Sequence, residues 1–321
     1  NKGYEVGVVY AALEHPSNNQ PYFMEERIED GVKLFPIYNR TRDFLMADLP
    51  ELEIYDKNAV EIWEKVVEEF QPDIIHYHNF LGLSFGICDI AFRKKIPTLY
   101  SPHNYHLIDP ELYMINSDLS NWKNSDLFTQ SKLYQNNKEK AAGYDQRAKK
   151  ALELINSKID KTLAISHRVK ELLIDFGGNP DKIEVLYQAP KAVSNIEPVH
   201  YKASDANIRV GFIGNMMPNK GLHILAGASR RINRNCDIIL YGSGNRKYIT
   251  ELLKISQNRL TFKGAYTEKD FPEIAQNVDL IVMPSIWEEC AGLVIQEAFA
   301  MGKPVIGARI GGIPEFIDEN V

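Results

Sequence analysis

Short apolar runs rich in Val and Ile alternate with longer amphipathic stretches along this chain, the pattern of strands and helices that build a largely parallel sheet. In the first half, strands are expected at 6–10, 33–37, 73–77, 97–101 and 161–165, with helices over 58–70 and 83–93. A polar stretch over 118–150, rich in Asn, Lys and Gln, is expected to hold a long exposed helix. A further strand is expected at 183–186, after which residues 188–207 carry two prolines and no clear periodicity and read as a linker. Beyond it, strands at 209–213, 237–241, 260–262, 279–283 and 304–307 alternate with helices at 220–231, 246–256, 268–276 and 293–301. Gly302 and Pro304 stand just past the last helix, where chains commonly leave one. The fold class is α/β. The chain divides into a domain over 1–190, a linker over 191–207 and a domain over 208–321, and 321 residues suffice for two ordinary cores.

Charge and cysteine usage narrow the function classes. Lys plus Arg number 37 against 43 Asp plus Glu, a net charge of -6, with no block of like charges. No nucleic-acid partner is expected. No apolar run reaches the roughly 18 residues that cross a bilayer, and the start does not resemble a signal peptide. Cys88, Cys236 and Cys290 lack C-x-x-C spacing, so neither a disulfide framework nor a thiolate metal site is indicated. A soluble protein of the reducing cytoplasm is expected, and Asn39-Arg40-Thr41 reads as a chance sequon.

Three strand-to-helix junctions in the second domain could meet an anion with backbone N–H groups. They are Gly214-Asn215-Met216-Met217-Pro218-Asn219-Lys220-Gly221, Gly242-Ser243-Gly244, and Glu289-Cys290-Ala291-Gly292-Leu293-Val294. Lys220 is placed at a helix start, which a cation disfavours unless an anion joins it; an ordinary solvated lysine is the alternative. With the last of these helices starting near Gly292, Glu297 falls inside it and Glu289 in the loop before it, so their roles can differ. A carboxylate suits a ribose or sugar diol because its two oxygens accept two hydroxyl hydrogen bonds. In the first domain His76 and His78 are expected to face opposite sides of a strand and to serve packing or hydrogen bonding rather than a shared metal. Tyr22, Phe23 and Tyr105 are candidates for an acceptor pocket, against the commoner role of core or cleft wall.

The run from Pro284-Ser285-Ile286-Trp287-Glu288-Glu289 through Gly292-Leu293-Val294-Ile295-Gln296-Glu297 to Pro304-Val305-Ile306, followed by Gly311-Gly312-Ile313-Pro314-Glu315, closely resembles the donor-site signature of family 4 glycosyltransferases. Residues 214–221 and 241–244 resemble it as well. In the first domain Pro72-Asp73-Ile74-Ile75-His76-Tyr77-His78 and Pro97-Thr98-Leu99-Tyr100-Ser101-Pro102-His103 are similar to two further family stretches. The resemblance implies a GT-B fold, two facing Rossmann-like domains with the active site in the cleft, and retaining transfer without a metal. It implies that Glu297 binds the donor ribose and Glu289 the transferred sugar. The amides of Gly292, Leu293 and Val294 then meet sugar and pyrophosphate, beside Gly214, Asn215, Gly242 and Gly244. Lys220 would neutralise the leaving diphosphate, where charge develops, and His103 would contact the donor sugar.

The expected partners are a nucleotide-sugar donor, UDP-linked first and GDP-mannose second, and a glycan or lipid-linked acceptor in surface polysaccharide or glycoconjugate synthesis. No cofactor and no metal are expected, and the chain has no Asp-x-Asp. Any membrane contact is expected to be peripheral, at the cytoplasmic face. Departures from the family are Asn215, where many members carry Arg, with Arg246 or Arg309 as substitute cations, and Ala291, where an aromatic is usual. The chain matches the family from its second strand and stops before the usual final helices, so the first strand, its Gly-rich loop and the returning helix are expected to lie outside it. The alternatives are a catalytically silent nucleotide-sugar binder, a nucleotide-sugar epimerase, and a nicotinamide-dependent oxidoreductase. The last is disfavoured because Gly242-Ser243-Gly244 lacks the third fingerprint glycine.

Overall fold

The computed structural model describes residues 3–12, 22–38, 49–116, 118–122, 138–190, 196–199, 207–232 and 235–318. They form two compact units. One takes the described residues of Asn1–Met114, Trp122–Ala164 and Lys170–Val185, the other those of Ile115–Asn121, Ile165–Val169 and Leu186–Val321. Most of 191–207 lies outside the described residues, but Val199 donates its N–H to the Met301 carbonyl and packs with Ile196 on the second unit's core.

In the first unit, strands β1 (Gly7–Ala11), β2 (Phe23–Met24), β3 (Arg27–Glu29) and β4 (Val32–Tyr38) make one sheet. β4 is central, parallel to β1 and antiparallel to β2 and β3. A second, all-parallel sheet orders β5 (Ile75–Tyr77), β6 (Thr98–Tyr100), β7 (Lys161–Ala164) and β8 (Ile183–Val185). Helix α1 (Pro50–Ile54) precedes α2 (Lys57–Phe70), whose N-cap Asp56 accepts the Asn58 and Ala59 amides, a cap worth about 1 kcal/mol. Val60, Trp63 and Val67 of α2 share one core with Ile87, Ile90 and Ala91 of α3 (Ile87–Lys94) and with Tyr77 and Tyr100 of the sheet.

Residues 117 and 123–137 of the polar stretch lie outside the described residues; its end yields helix α4 (Ala141–Glu153), which is amphipathic rather than exposed throughout and buries Tyr144, Arg147, Ala148 and Ala151. Arg147, 0% exposed, donates to the Glu53 carboxylate and to the His106 and Leu107 carbonyls, and its guanidinium lies 5.1 Å from the Phe85 ring centroid. Burial pushes the Glu53 carboxyl up, but Arg147 and His106 outweigh it and hold it below its ordinary value. Periodicity cannot show this cluster, because an arginine on a helix reads as surface until its partners are known.

In the second unit β9 (Ile208–Ile213), β10 (Cys236–Tyr241), β11 (Leu260–Gly264), β12 (Leu280–Met283) and β13 (Val305–Gly307) form a parallel sheet in the order β11-β10-β9-β12-β13. Each strand lies where the apolar runs place it. Helix α5 (His167–Asp175), not expected from the sequence, begins in this unit and continues in the first. Helices α6 (Leu222–Ser229) and α7 (Arg246–Ile255) pack on one face. Helices α8 (Phe271–Asn277) and α9 (Leu293–Ala300) cover the other. This is the doubly wound order, whose direction reverses between β9 and β12. In such sheets ligands bind outside the strand carboxyl ends at that reversal.

Candidate functional site

The chain leaving β9 and the chain leaving β10 are held against each other. Met216 N–H donates to the Ser243 carbonyl at 2.7 Å, and Met216 bridges Gly244. Gly242 has φ 148°, and a Cβ there would lie 1.8 Å from the Gly214 carbonyl oxygen; at Gly244 it would lie 2.5 Å from that of Met216. The glycines are therefore required for close backbone approach. The Gly214 amide donates to the Tyr241 carbonyl at 3.0 Å and the Gly242 amide to that of Gly264 at 2.7 Å. The expectation that these two offer free N–H groups to an anion is corrected on that ground.

Lys220 does not start an α-helix. It closes a 3₁₀ turn, Pro218–Lys220, and Gly221 at φ 70° turns the chain into α6. That conformation lets the loop lie against the chain leaving β12: a Cβ on Gly221 would sit 1.8 Å from the Pro284 carbonyl oxygen, and Ile286 donates to the Asn219 carbonyl at 2.9 Å. The two loops flank the reversal point and bring Lys220 and Glu289 together, Nζ to Oε1 at 2.6 Å. Ser285 Oγ donates to the same oxygen at 2.6 Å, and Lys220 Nζ lies 5.1 Å from the Trp287 ring centroid. Glu289 is 4% exposed.

The Glu289 loop is braced from behind. Arg168 grips Glu288 with two hydrogen bonds of 2.9 and 3.0 Å, and Glu315 accepts the His167 and Arg168 amides. Gly312 N–H donates to the Glu289 carbonyl at 2.7 Å, and Gly311 at φ 58° passes so close that a Cβ would meet the Glu289 nitrogen at 2.3 Å. This explains Gly311-Gly312 as a packing requirement. Ser285, Trp287, Arg168 and Glu288 are contributors that sequence reasoning did not single out, since a salt bridge 120 residues apart in sequence leaves no local signal.

Helix α9 starts with Gly292 at the N-cap and no side-chain cap. Its first-turn N–H groups, those of Leu293 and Val294, point away from the helix body with the dipole behind them. Glu297 lies inside α9 and Glu289 in the loop before it, as the spacing suggested. Burial first, and the Glu268 carboxylate second, push Glu297 up to about 7. Tyr266 is pushed up to about 12 by burial, with Glu297 adding to it. Arg246 is exposed at the start of α7.

In the first unit the histidine expectation is overturned. Side chains on a strand alternate with period two, so His76 and His78 share a face. Their ring centroids are 4.1 Å apart, and His78 Nδ1 lies 2.9 Å from His103 Nε2. Hydrogen bonding, the role expected for them, is what they do. Tyr105 is 2% exposed and belongs to the core. Tyr22 donates to Asp56 at 2.6 Å, and Phe23 packs against Tyr38. Asn39-Arg40-Thr41 lies outside the described residues. Among the described residues no group of three His, Cys, Asp or Glu side chains could hold a metal ion, and no helix is long and apolar enough to cross a membrane.

A doubly wound sheet with a lysine, a buried carboxylate and an uncapped helix start gathered at its reversal point defines an α/β protein of the doubly wound class, in which the strand carboxyl ends at that reversal are the expected ligand crevice. The profile of Glycosyltransferase Family 4 matches residues 1–189 and that of Glycosyl transferases group 1 matches residues 207–321. The chain belongs to Glycosyltransferase Family 4. It is 25% identical over 82% of its length to the 42.6 kDa protein in the cps region of Klebsiella pneumoniae. It is 34% identical over 37% of its length to the GDP-mannose-dependent alpha-mannosyltransferase of Corynebacterium glutamicum. The chain spans 64% of the first relative and 27% of the second. Anabaena HepE in complex with UDP superposes with a TM-score of 0.60 at 22% identity, over 81% of this chain and 66% of that one. Sucrose-phosphate synthase from Thermosynechococcus elongatus gives 0.68 at 15% identity, over 97% and 73%. At these identities the two structures establish the fold alone, which is that of GT-B glycosyltransferases.

Proposed function

We propose that the protein carrying this chain transfers a sugar from a nucleoside-diphosphate sugar to a hydroxyl of a glycan or lipid-linked acceptor, with retention and without a metal. The observation that carries the reading is the Lys220–Glu289–Ser285 group beside the uncapped start of α9. Lys220 and the Leu293 and Val294 amides take the diphosphate, Glu289 the hydroxyls of the transferred sugar, and Glu297 the ribose diol. His103 offers an exposed imidazole to a sugar hydroxyl. In the transfer the bond from the anomeric carbon to the phosphate oxygen breaks and the bond to the acceptor oxygen forms on the same face. The acceptor proton passes to a phosphate oxygen of the leaving group, and no protein nucleophile is used. Stabilising that leaving group is the work of positive charge and oriented donors. UDP is the favoured carrier, supported by the fold shared with a UDP complex of HepE, and GDP-mannose is second, supported by the mannosyltransferase relative. Action at the cytoplasmic face of a membrane, on surface polysaccharide or glycoconjugate, completes the reading.

A thermal-shift panel with UDP, GDP, ADP and NAD tests it, because a ligand at a hundred times its Kd stabilises by about 2.7 kcal/mol. A shift with one nucleoside diphosphate, lost in Lys220→Ala and Glu297→Ala, is expected. A shift with NAD alone overturns the reading. Nucleotide affinity without release of nucleoside diphosphate from any sugar donor identifies a silent binder instead.

A further inference from the structure

β5 and β6 are parallel neighbours, with His76 opposite Leu99 and Tyr77 opposite Tyr100. Their carboxyl ends place His78, one residue past β5, beside His103, three residues past β6. The His78 and His103 rings lie edge to edge, inclined by 24° with centroids at 5.2 Å, so the contact between their nitrogens runs close to both ring planes. The His76 ring, inclined by 35° to that of His78, has its centroid 4.1 Å away, and its Nε2 is 2.9 Å from Ser101 Oγ. The three rings thus form a run of direct contacts, tied at the His76 end to a serine hydroxyl. Burial lowers the pKa of all three, His76 to about 4, and the neighbouring imidazoles lower those of His76 and His103 further. Near neutral pH each ring is therefore an uncharged imidazole, with one N–H and one acceptor nitrogen.

Only one hydrogen can lie between His78 Nδ1 and His103 Nε2, and the choice of owner fixes both tautomers. If His78 donates, both rings are forced into the Nδ1–H form. If His103 donates, both keep the Nε2–H form that a free neutral histidine prefers. The second arrangement needs no tautomeric strain in either ring. It also leaves His103 Nδ1 as a lone pair, and no described residue bonds to that nitrogen.

We propose that His78 is a positioning residue: it accepts the Nε2–H of His103 and so presents His103 Nδ1 as an acceptor for a sugar hydroxyl. The proposal rests on the reading of His103 as a sugar-facing imidazole. Ser101 hydrogen-bonds His76, and the His76 ring lies against that of His78.

Long-range ¹H–¹⁵N correlation on the full-length protein, labelled at histidine, reads the tautomers directly. His103 is expected in the Nε2–H form. In His78→Phe, which keeps a ring but removes the acceptor, it becomes a tautomer mixture, and kcat/KM for the sugar donor falls about five- to tenfold, the worth of one hydrogen bond. The Kd for the free nucleoside diphosphate, which lacks the sugar, is unchanged. His78→Asn, whose Oδ1 can stand where Nδ1 stood, regains most of the loss. An Nδ1–H form of His103 in the wild type overturns the proposal, as does a His78→Phe variant with unchanged tautomer and kinetics. Full transfer by His103→Ala sinks the sugar-facing assignment instead, and the tautomer spectrum still decides which ring donates.

Discussion

Replacing Glu289 by Gln removes a charge and keeps a shape. In the free protein the Lys220 ammonium already sits 2.6 Å from the Glu289 carboxylate, so an arriving diphosphate meets a neutral pair rather than a bare cation. Gln retains an oxygen for the Ser285 hydroxyl while lifting a unit repulsion from phosphates a few ångströms away. That repulsion is worth about 1 kcal/mol at a water-like dielectric and about 4 kcal/mol at an effective dielectric of roughly 20. The Lys220 side chain is 24% exposed, and its contact with water selects the lower end. The expected gain in nucleoside-diphosphate affinity is about fivefold. Transfer moves the other way: losing charge-assisted bonds to sugar hydroxyls, about 1.5–3 kcal/mol, lowers kcat/KM by roughly ten- to a hundredfold. Titration calorimetry with UDP, beside steady-state nucleotide release, measures both. Lys220→Met weakens UDP binding, and the Lys220→Met/Glu289→Gln double variant recovers part of the loss. A folded Glu289→Gln protein that binds UDP no tighter than wild type refutes the charge argument.

Burial pushes the Glu297 carboxyl up to about 7, so on the proposed role, in which the carboxylate binds ribose, nucleotide affinity is expected to fall as pH drops below 7 and to level off above it. Calorimetry from pH 5.5 to 8.5 is expected to show a flatter profile for Glu297→Gln, which shares the phosphate titration; identical slopes argue against a ribose role. Arg147→Met leaves the Glu53 carboxylate buried without its main partner, at an expected cost of about 3–5 kcal/mol near pH 7 in urea unfolding. In the wild type the depressed Glu53 pKa contributes stability above the unfolded carboxylate range, lost as pH falls through the folded value. In the variant burial raises it, so the difference between the two proteins shrinks toward pH 4 and a constant difference disproves the pairing. Gly242→Ala puts a Cβ 1.8 Å from a carbonyl oxygen at φ 148°, and a loss of at least about 2 kcal/mol is expected in thermal unfolding of the second unit.

The second unit was legible because its signals are local. Val and Ile runs give the strands of a buried parallel sheet, and Gly292 followed by an apolar helix gives the start of α9. The first unit hides its chemistry in long-range pairing. His78 and His103 meet because β5 and β6 are neighbours; the expected strand–helix–strand pattern allows that pairing but does not fix which side chains past the strand ends touch. The error over His76 and His78 was one of strand geometry, since residues two apart on a strand lie on one face. The short β2 and β3 and the helix α1 carry too few residues for periodicity to register.

The glycine loops hold the wider lesson. They read as phosphate cradles, yet the Gly214 and Gly242 amides are already bonded to the ends of neighbouring strands. Lys220, another of the groups expected to meet an anion, is neutralised until Glu289 finds another partner. A nucleoside diphosphate alone offers Glu289 none, whereas a full donor brings sugar hydroxyls that can hydrogen-bond to the carboxylate and draw it from the lysine. The two halves of the donor are then coupled through one ion pair. Phosphate binding strengthens when the sugar is present, and Gln at position 289 abolishes that dependence. A wild-type protein that binds UDP and a productive UDP-sugar equally tightly contradicts this coupling.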